Sequence, residues 1–428
     1  MVIDRIKISG FTNIGETSLN FSNLSALIAP NNYGKTNVLT AIRFAIDFIT
    51  NHPKGKQSQM KYRPAIPINV HLAGLPFSCE LEGKIEKESE SPCYFIYGYS
   101  FDWEKTNGAG AAITTEYLKF KEINDSKYKS YIERDNSEDA KYLASPTGRC
   151  SKKLPLTKDT LAINKLSNFD DLFYISWIKA INNLEIQFAN TLENPEQYFS
   201  LITPDDDVND YSVDFPHSGK IGFFISSLEK THPNKYELLK NTIMDLLPSV
   251  EDFSPVQVDL RKESSHDEKL PFRLPDVFYD IKIKEKYNNQ YTSIERVSTG
   301  CKKILYVLTL AIAADLNNIP LLLFEELENS VHPRLLQSLL VALSQVSGNT
   351  RILTTSHSPY LIKYLRPEQI KLGMPSDKGI SEFKALKPSK VNKVMRLASS
   401  EEVSLGEYLF EMMLDLETNE ELLNEYFS

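Results

Sequence analysis

A Gly34-Lys35-Thr36 tripeptide near the N-terminus has the residue types and spacing that most clearly indicate chemistry. It follows a short apolar run, Leu24 to Ile28, and precedes a segment whose apolar residues recur at helical spacing as far as Ile49. A strand, a tight loop and a helix in this order aim backbone N–H groups and a helix dipole at one phosphate. The lysine would reach the β- and γ-phosphates of a nucleotide, and the threonine hydroxyl would bind Mg²⁺.

The first position of this loop departs from the phosphate-loop pattern G-x-x-x-x-G-K-[ST], because it is Ala29. A methyl group there is a small change if the backbone angles are ordinary, and a large one if φ must be positive. A Gly-Lys-Thr that follows a strand by chance is the alternative interpretation. We favour nucleotide binding, in which Asn31, Asn32 and Asn37 would also contact the nucleotide.

Two later stretches carry polar residues that suit the same chemistry. Ser298 and Gly300 precede a long apolar helical segment, where a hydroxyl and free N–H groups would form a second anion site. Glu325 and Glu326 follow the apolar run Leu321 to Phe324, a position at which α/β sheets bind ligands. One carboxylate could hold Mg²⁺ while the other orients or deprotonates a water. A pair of acids at a helix start is the alternative interpretation.

A histidine, His357, follows the end of the next predicted strand, Ile352 to Thr355. The imidazole of His357 could hydrogen-bond a γ-phosphate or an attacking water, although a lone histidine is more often structural. Each of these signals is weak alone, but their order along the chain is far more specific.

That order resembles the ABC-type ATPases of the RecF/SMC group, and within it the ATPase module of the OLD family of prokaryotic defence systems. The OLD pattern of an apolar run, acids and Leu-His-Pro is similar to Leu323 through Pro333, and its Thr-His-Ser-Pro is similar to Thr355 through Pro359. The opening residues, 6–21, resemble the first strand pair of the family. The likeness covers residues 1 to about 375.

The resemblance implies a role for each matching residue. Lys35 and Thr36 would bind phosphate and Mg²⁺, Glu325 would be the metal-binding Walker B acid, and Glu326 would activate water. It likewise implies a signature at Ser298 and Gly300 and a switch histidine at His357. The signature would contact ATP held by a second subunit, so that active sites form only in a head-to-tail, ATP-sandwiched dimer or a higher oligomer.

Some positions differ from the family. Leu327 replaces the usual proline, and Thr12 stands where the family commonly has arginine. The glutamine of the family's Q-loop has three candidates, Gln57, Gln59 and Gln187.

The composition is that of an ordinary soluble protein, and the net charge disfavours one class of nucleic-acid-binding protein. The chain has 428 residues, of which 41% are hydrophobic and 25% charged, and its net charge is −9. That charge disfavours a protein that coats nucleic acid with its whole surface. We expect no transmembrane helix, no signal peptide and a cytoplasmic location, with four scattered free cysteines.

The motifs and periodicities predict an α/β fold: an ABC-type P-loop ATPase head with a mixed central sheet, an antiparallel β lobe and a helical lobe. The ATPase domain would span 1–375, followed by a C-terminal segment, 376–428. Within the ATPase domain the predicted parts are the phosphate loop 29–36, the β lobe at about 68–143, the helical lobe at about 165–250 and the signature-to-switch region 295–360.

Two charged segments have open interpretations. We interpret residues 52–63 as an exposed basic loop that could contact DNA or a partner, although such runs are usually only solvated. The run Asp205 to Asp207 could be proposed as metal ligands, but it lies in no apolar strand and we favour a solvated loop.

The C-terminal segment is too short for the Toprim nuclease of OLD proteins, so we expect no nuclease activity in this chain. Its first part is basic, and from Glu401 onward it has nine acids and no base. One helical face carries Leu405, Tyr408, Leu409, Met412 and Leu416, and it either packs on its own domain or docks a partner protein.

The favoured function is an ATPase that uses Mg²⁺, dimerises around ATP and regulates a separate effector protein of an antiviral defence system. The defence role is an analogy at the level of the fold. Two alternatives stay open: a DNA-end-binding repair ATPase, and a slow ATP-gated scaffold or toxin-neutralising protein.

Overall fold

The structure is a computed structural model, which describes residues 1–87, 90–189, 192, 199, 221–259, 277–374 and 378–427. The chain divides into two compact units. Unit 1 comprises Met1–Phe188, Ile319–Phe324 and Arg351–Ser428, and unit 2 comprises Ala189–Asn318 and Glu325–Thr350. The run Asp205 to Asp207 lies outside the described residues.

The regular elements are numbered along the chain. The strands are β1 (Val2–Phe11), β2 (Ile14–Asn20), β3 (Leu24–Ile28), β4 (Phe77–Lys87), β5 (Glu90–Asp102), β6 (Ala112–Glu122), β7 (Lys129–Arg134), β8 (Asp139–Leu143), β9 (Cys150–Pro155), β10 (Gln187–Ala189), β11 (Val250–Asp259), β12 (Val277–Glu285), β13 (Thr292–Ser293), β14 (Leu321–Phe324), β15 (Arg351–Ser356), β16 (Ile370–Met374) and β17 (Glu382–Ala385). The helices are α1 (Lys35–Thr50), α2 (Pro53–Met60), α3 (Ala162–Leu166), α4 (Ile175–Asn182), α5 (Ile221–Thr231), α6 (Pro233–Leu246), α7 (Thr299–Leu316), α8 (Pro333–Val346), α9 (Pro359–Lys363), α10 (Val391–Ser400), α11 (Leu405–Leu414) and α12 (Leu416–Tyr426).

An eight-stranded antiparallel sheet forms much of unit 1, in the order β2-β1-β4-β5-β6-β7-β8-β9. Its strands alternate buried and less buried residues, as a sheet with one covered face requires. Helix α1 contributes an aromatic side chain to the covered face, where Phe48 stacks on Tyr99 and Phe101 with ring centroids 5.1 and 4.7 Å apart. The Tyr99 hydroxyl donates a hydrogen bond to the carbonyl of Ala45, 2.7 Å away, which fixes α1 on the sheet.

A six-stranded mixed sheet carries the phosphate loop, in the order β10-β14-β15-β3-β16-β17. Strands β14, β15, β3 and β16 are parallel, and β17 is antiparallel to its neighbour β16. All residues of β3 and β14 are buried, which is why their sequences are continuous apolar runs and not alternating ones. Because these strands are parallel, the ends of β14, β15 and β3 lie at one edge of the sheet.

The predicted basic loop, 52–63, is largely a helix, so that part of the prediction is wrong. Pro53 starts α2, where a missing N–H costs nothing. Lys56 is fully buried and donates hydrogen bonds to the carbonyls of Ile49 and Asn51 at the end of α1. Lysine and arginine side chains suggested a solvated run, but here an ammonium satisfies helix-end carbonyls.

Helices α9 to α12 complete unit 1. Gly406 of α11 lies so close to α9 that an added Cβ would be 2.0 Å from the carbonyl oxygen of Ile362. Lys363 of α9 donates a 2.8 Å hydrogen bond to Glu407. Lys390 and Lys393 both pair with Glu425, at 2.6 and 3.2 Å, so the basic and acidic parts of the segment neutralise each other. These contacts favour the interpretation in which the C-terminal helices pack on their own unit.

Unit 2 contains α5 to α8 and the antiparallel sheet β11-β12-β13. Helix α7 is almost entirely buried, including Lys302 and Lys303, and this explains its nearly continuous apolar sequence. Helix α8 has one buried face, and the chain enters it through His332 and Pro333.

Two further expectations can be compared with the described residues. All four cysteines fall in the described part of the chain and are free thiols. In that part, none of the helices combines the length and apolarity needed to cross a bilayer.

Candidate nucleotide-binding site

The phosphate-loop sequence forms the expected strand, loop and helix. Strand β3 ends at Ile28, and α1 begins at Lys35. The Lys35 ammonium donates hydrogen bonds to the carbonyls of Ala29 and Pro30, at 2.8 and 3.0 Å, so it lies across the mouth of the loop. Thr36, in the first turn of α1, is exposed.

Backbone angles show why glycine is needed at one end of this loop. Gly34, the residue before α1, has φ of 93°, a left-handed value that side chains disfavour. Asn32 also has a positive φ, 61°, which asparagine tolerates better than most residues. Successive turns of this kind converge backbone N–H groups on one point, as an anion-binding nest does.

Ala29 fits the loop because its backbone is ordinary and its neighbour is small. It is absent from the residues with positive φ, so the methyl group causes no backbone strain. The methyl faces Gly373 of β16, where an added Cβ would lie 2.6 Å from the Ala29 Cβ and 2.7 Å from the Tyr33 ring. The methyl group of Ala29, which stands where the loop usually has glycine, therefore has room because the adjacent strand carries Gly373.

Two residues distant in sequence support the loop from behind. Asn13, in the β1–β2 turn, accepts a 2.8 Å hydrogen bond from the Asn37 amide and donates one of 2.7 Å to the Ser381 hydroxyl. Ser381 in turn donates a hydrogen bond to the carbonyl of Tyr33. This network joins the middle of the phosphate loop and the first turn of α1 to one buried hydroxyl.

Tyr33 packs the middle of the loop against the segment that precedes β17. Its hydroxyl donates a 3.4 Å hydrogen bond to the carbonyl of Ile380, and its ring meets Phe383 edge-on with centroids 6.0 Å apart. Burial raises the pKa of Tyr33 well above its usual range, so the hydroxyl stays neutral and a donor at physiological pH.

His357 lies at the sheet edge that carries the loop. In the pairing of β15 with β3, Ser356 is opposite Ile28, so the residue after Ser356 lies beside the start of the loop. His357 is exposed, and the next residues form a capped turn in which Ser358 accepts a 3.2 Å hydrogen bond from the N–H of Tyr360.

In unit 2, the two acids begin a tight loop. Glu326 has a left-handed φ of 49°, and its carboxylate accepts a 2.6 Å hydrogen bond from the side-chain amide of Asn329. The ammonium of Lys303 donates hydrogen bonds to the carbonyls of Glu326 and Asn329, at 3.1 and 2.6 Å. Leu327, at the family's proline position, is fully buried and anchors this loop.

The Ser-x-Gly sequence caps α7, as the sequence suggests. The exposed Ser298 accepts a 3.4 Å hydrogen bond from the N–H of Cys301. An added Cβ on Gly300 would lie 2.8 Å from the carbonyl oxygen of Ser330, so the first turn of α7 lies directly against the loop that follows the acids. Burial raises the pKa of the Cys301 thiol to about 12, which leaves it inert.

The structure thus groups the predicted site residues into two sets. Unit 1 brings together the phosphate loop, Asn37 and His357, and unit 2 brings together Ser298, Gly300, Glu325 and Glu326. The sequence analysis missed Asn13, Ser381, Lys303 and Asn329. Only Lys303 had a signal, because a lysine inside an apolar helical run is unusual.

The hydrogen-bond donors and the hydroxyl of the loop suit a nucleoside triphosphate with Mg²⁺. An ammonium, converging N–H groups and a helix start attract phosphate, and the Thr36 hydroxyl is an oxygen ligand of the kind Mg²⁺ prefers. Among the described residues, no group of three or more histidine, cysteine or carboxylate side chains could hold a metal unaided.

Comparison with known proteins agrees with this geometry. The family model described as "AAA domain, putative AbiEii toxin, Type IV TA system" matches residues 24–363. The chain belongs to this AAA family. The matched range includes the phosphate loop, Ser298, Gly300, the acid pair and His357. The predicted ATPase family is therefore confirmed, and the mixed sheets and helices of the structure confirm the predicted α/β class.

Individual relatives are distant. The chain is 24% identical over 387 residues to the "Retron Vc95 probable ATPase" of Vibrio cholerae serotype O1 biovar El Tor, which covers 86% of this chain and 71% of that protein. Among solved structures, the SMC head bound to the C-winged helix domain of ScpA has a TM-score of 0.49 at 12% identity, covering 92% of this chain and all of that one. The SMC head domain from Thermotoga maritima has a TM-score of 0.42 at 13% identity, covering 90% of this chain and all of that one.

Proposed function

We propose that this AAA-family protein binds ATP with Mg²⁺ at the phosphate loop 29–36 and hydrolyses it. The observation that carries the proposal is the loop itself, with its left-handed Gly34 and the Lys35 ammonium held across the mouth by two carbonyls. A buried lysine that donates to two carbonyls of its own loop can exchange them for phosphate oxygens.

The other residues divide the remaining chemistry. Glu325 would join Thr36 in holding the metal, which neutralises phosphate charge when bound. Glu326 would orient and deprotonate the attacking water, and His357 would hydrogen-bond the γ-phosphate. Ser298 and Gly300, at a helix N-terminus, would bind the γ-phosphate of ATP held by a second copy of the chain.

We further propose that the chain regulates a separate effector protein in a prokaryotic defence system. The family description, which mentions a toxin of a toxin–antitoxin system, and the relative named for a retron both support a role beside another component. DNA contact through 52–63 receives less support, because Lys56 is buried and Lys61 and Arg63 pair with Glu104 at 3.0 and 4.0 Å.

Two substitutions separate nucleotide binding from hydrolysis. Lys35→Ala should abolish ATP binding, and Glu326→Gln should keep ATP binding and reduce kcat by about 10²–10⁴-fold, the usual contribution of a general base. Binding is measured with a fluorescent ATP analogue and turnover by phosphate release. The control is Lys54→Ala, which removes an exposed lysine of α2. Unchanged nucleotide binding in Lys35→Ala would contradict the proposal.

A further inference from the structure

Lys303 is a fully buried lysine that donates two hydrogen bonds to the loop that follows the acid pair. The residue is 0% exposed within α7. Burying an ammonium costs several kcal/mol unless hydrogen bonds replace its water. The carbonyls of Glu326 and Asn329 provide them, at 3.1 and 2.6 Å. A leucine or methionine would fill this apolar helix without that cost, so packing does not account for the charge.

Glu326 adopts a backbone conformation that needs this support. A left-handed φ such as its 49° is unfavourable for a residue with a side chain. Its carbonyl oxygen accepts from both the Lys303 ammonium and the Asn329 N–H, the latter at 3.1 Å, while Asn329 also holds one carboxylate oxygen. The backbone and the side chain of the acid are thus fixed from two directions.

The same face of α7 touches the loop one turn earlier. Gly300 lies three residues before Lys303, and residues at that spacing share a helix face. An added Cβ on Gly300 would be 2.8 Å from the carbonyl oxygen of Ser330, too close for an ordinary contact. The helix that begins with the Ser-x-Gly sequence and the loop that begins with Glu326 are therefore joined at two points.

We propose that Lys303 is a positioning residue that couples the Ser298–Gly300 helix start to the orientation of the Glu326 carboxylate. This inference rests on the proposed ATPase function and adds its regulation. When the helix start engages phosphate, α7 and the loop move as one body, so the water-activating carboxylate reaches its working orientation only then. Hydrolysis is coupled in this way to assembly.

The test is Lys303→Met, which keeps an unbranched side chain one atom shorter and removes its charge. We expect kcat to fall at least about tenfold, with the Kd for ATP unchanged within about twofold, since the phosphate loop is untouched. The matched control is Lys56→Met, because Lys56 is equally buried and also bonds two carbonyls, but at the far end of α1, about 22 Å from its start. A thermal shift induced by ATP verifies that each variant is folded.

A double-mutant cycle with Asn329→Ala keeps the inference testable even if Lys303→Met is poorly stable. Both side chains position Glu326, so their effects on kcat should be non-additive, whereas Lys56→Met and Asn329→Ala should add. Equal kcat losses in Lys303→Met and Lys56→Met, or an additive cycle, would refute the coupling. Full turnover in Glu326→Gln would instead refute the assignment of that acid, and with it the proposed mechanism.

Discussion

Gly373 and Ala29 form a residue pair that explains how a phosphate loop can begin with alanine. In the family pattern the first loop position is a glycine. Here that position is Ala29, and the glycine that leaves room for its methyl group is Gly373 on the neighbouring strand. A Cβ on Gly373 would approach the Ala29 Cβ to 2.6 Å and the Tyr33 ring to 2.7 Å. Close packing leaves no room to absorb that contact, so the two positions should depend on each other.

Gly373→Ala should therefore weaken nucleotide binding without any change in the loop sequence. We expect a loss of about 1–3 kcal/mol in stability from overpacking, together with a rise in the Kd for ATP, because the loop is displaced. Ala29→Gly in the same chain should restore much of both. Urea unfolding and nucleotide titration measure the four variants of this cycle. If the second substitution rescues nothing, the two residues are independent.

The residues of the loop were predictable from sequence because they are contiguous, and their supports were not. The Gly-Lys-Thr pattern and its strand and helix follow from local residue types. Asn13 and Ser381 are 368 positions apart, and nothing in either neighbourhood indicates that they meet. The left-handed backbone conformation of Glu326 was equally unpredictable from sequence, because it depends on a hydrogen bond from α7 and not on the residue type.

At the scale of elements, the parallel strands were predicted better than their surroundings. Largely apolar runs identified β3 and β14, since strands buried on both faces have no polar alternation. The prediction of a solvated loop at 52–63 was wrong because the sequence does not distinguish an exposed lysine from one such as Lys56. The ammonium of Lys56 is buried and donates to carbonyls at the end of α1. Hydrophobic periodicity carries no information about a charged side chain that bonds backbone carbonyls.

The contact between α9 and α11 gives a prediction about pH. Hydrogen bonds from Lys363 and from the N–H of Ser404 lower the pKa of Glu407 to about 2, below its ordinary value of 4.5. A carboxyl with a lowered pKa in the folded state stabilises the protein above its unfolded pKa, and this contribution disappears as pH falls through the folded value. Stability due to Glu407 should thus be lost from about pH 4.5 down to about pH 2.

Glu407→Gln measures that contribution. The difference in free energy of unfolding between the original protein and Glu407→Gln should be constant near neutrality and shrink as pH falls below about 4.5. Urea unfolding followed by circular dichroism from about pH 6 to about pH 3 gives the values. Glu411→Gln removes an exposed acid from the same helix and is the matched control. A difference that does not change with pH would show that the ion pair leaves Glu407 unperturbed.

At the scale of the whole molecule, the proposed ATPase depends on a second copy of the chain, because Ser298 and Gly300 would act on the nucleotide of a partner. Ser298 caps α7, is exposed and accepts from the N–H of Cys301. Aspartate caps a helix about as well as serine, but it places a negative charge where phosphate would bind. Asparagine caps equally well without the charge, so the pair Ser298→Asp and Ser298→Asn isolates electrostatics from helix stability.

With ATP and Mg²⁺, Glu326→Gln should therefore accumulate as a dimer or a higher oligomer, since ATP binds and is not consumed. Adding Ser298→Asp to Glu326→Gln should return the protein to the monomer while each chain still binds ATP. Adding Ser298→Asn should reduce the oligomer far less. Light scattering after size exclusion measures the mass, and purification of Glu326→Gln from its native host identifies what accompanies it. A co-purifying protein without DNA supports effector control, and DNA without a protein supports the repair alternative. If Ser298→Asp and Ser298→Asn leave the oligomer equally intact, α7 does not face the nucleotide of a partner.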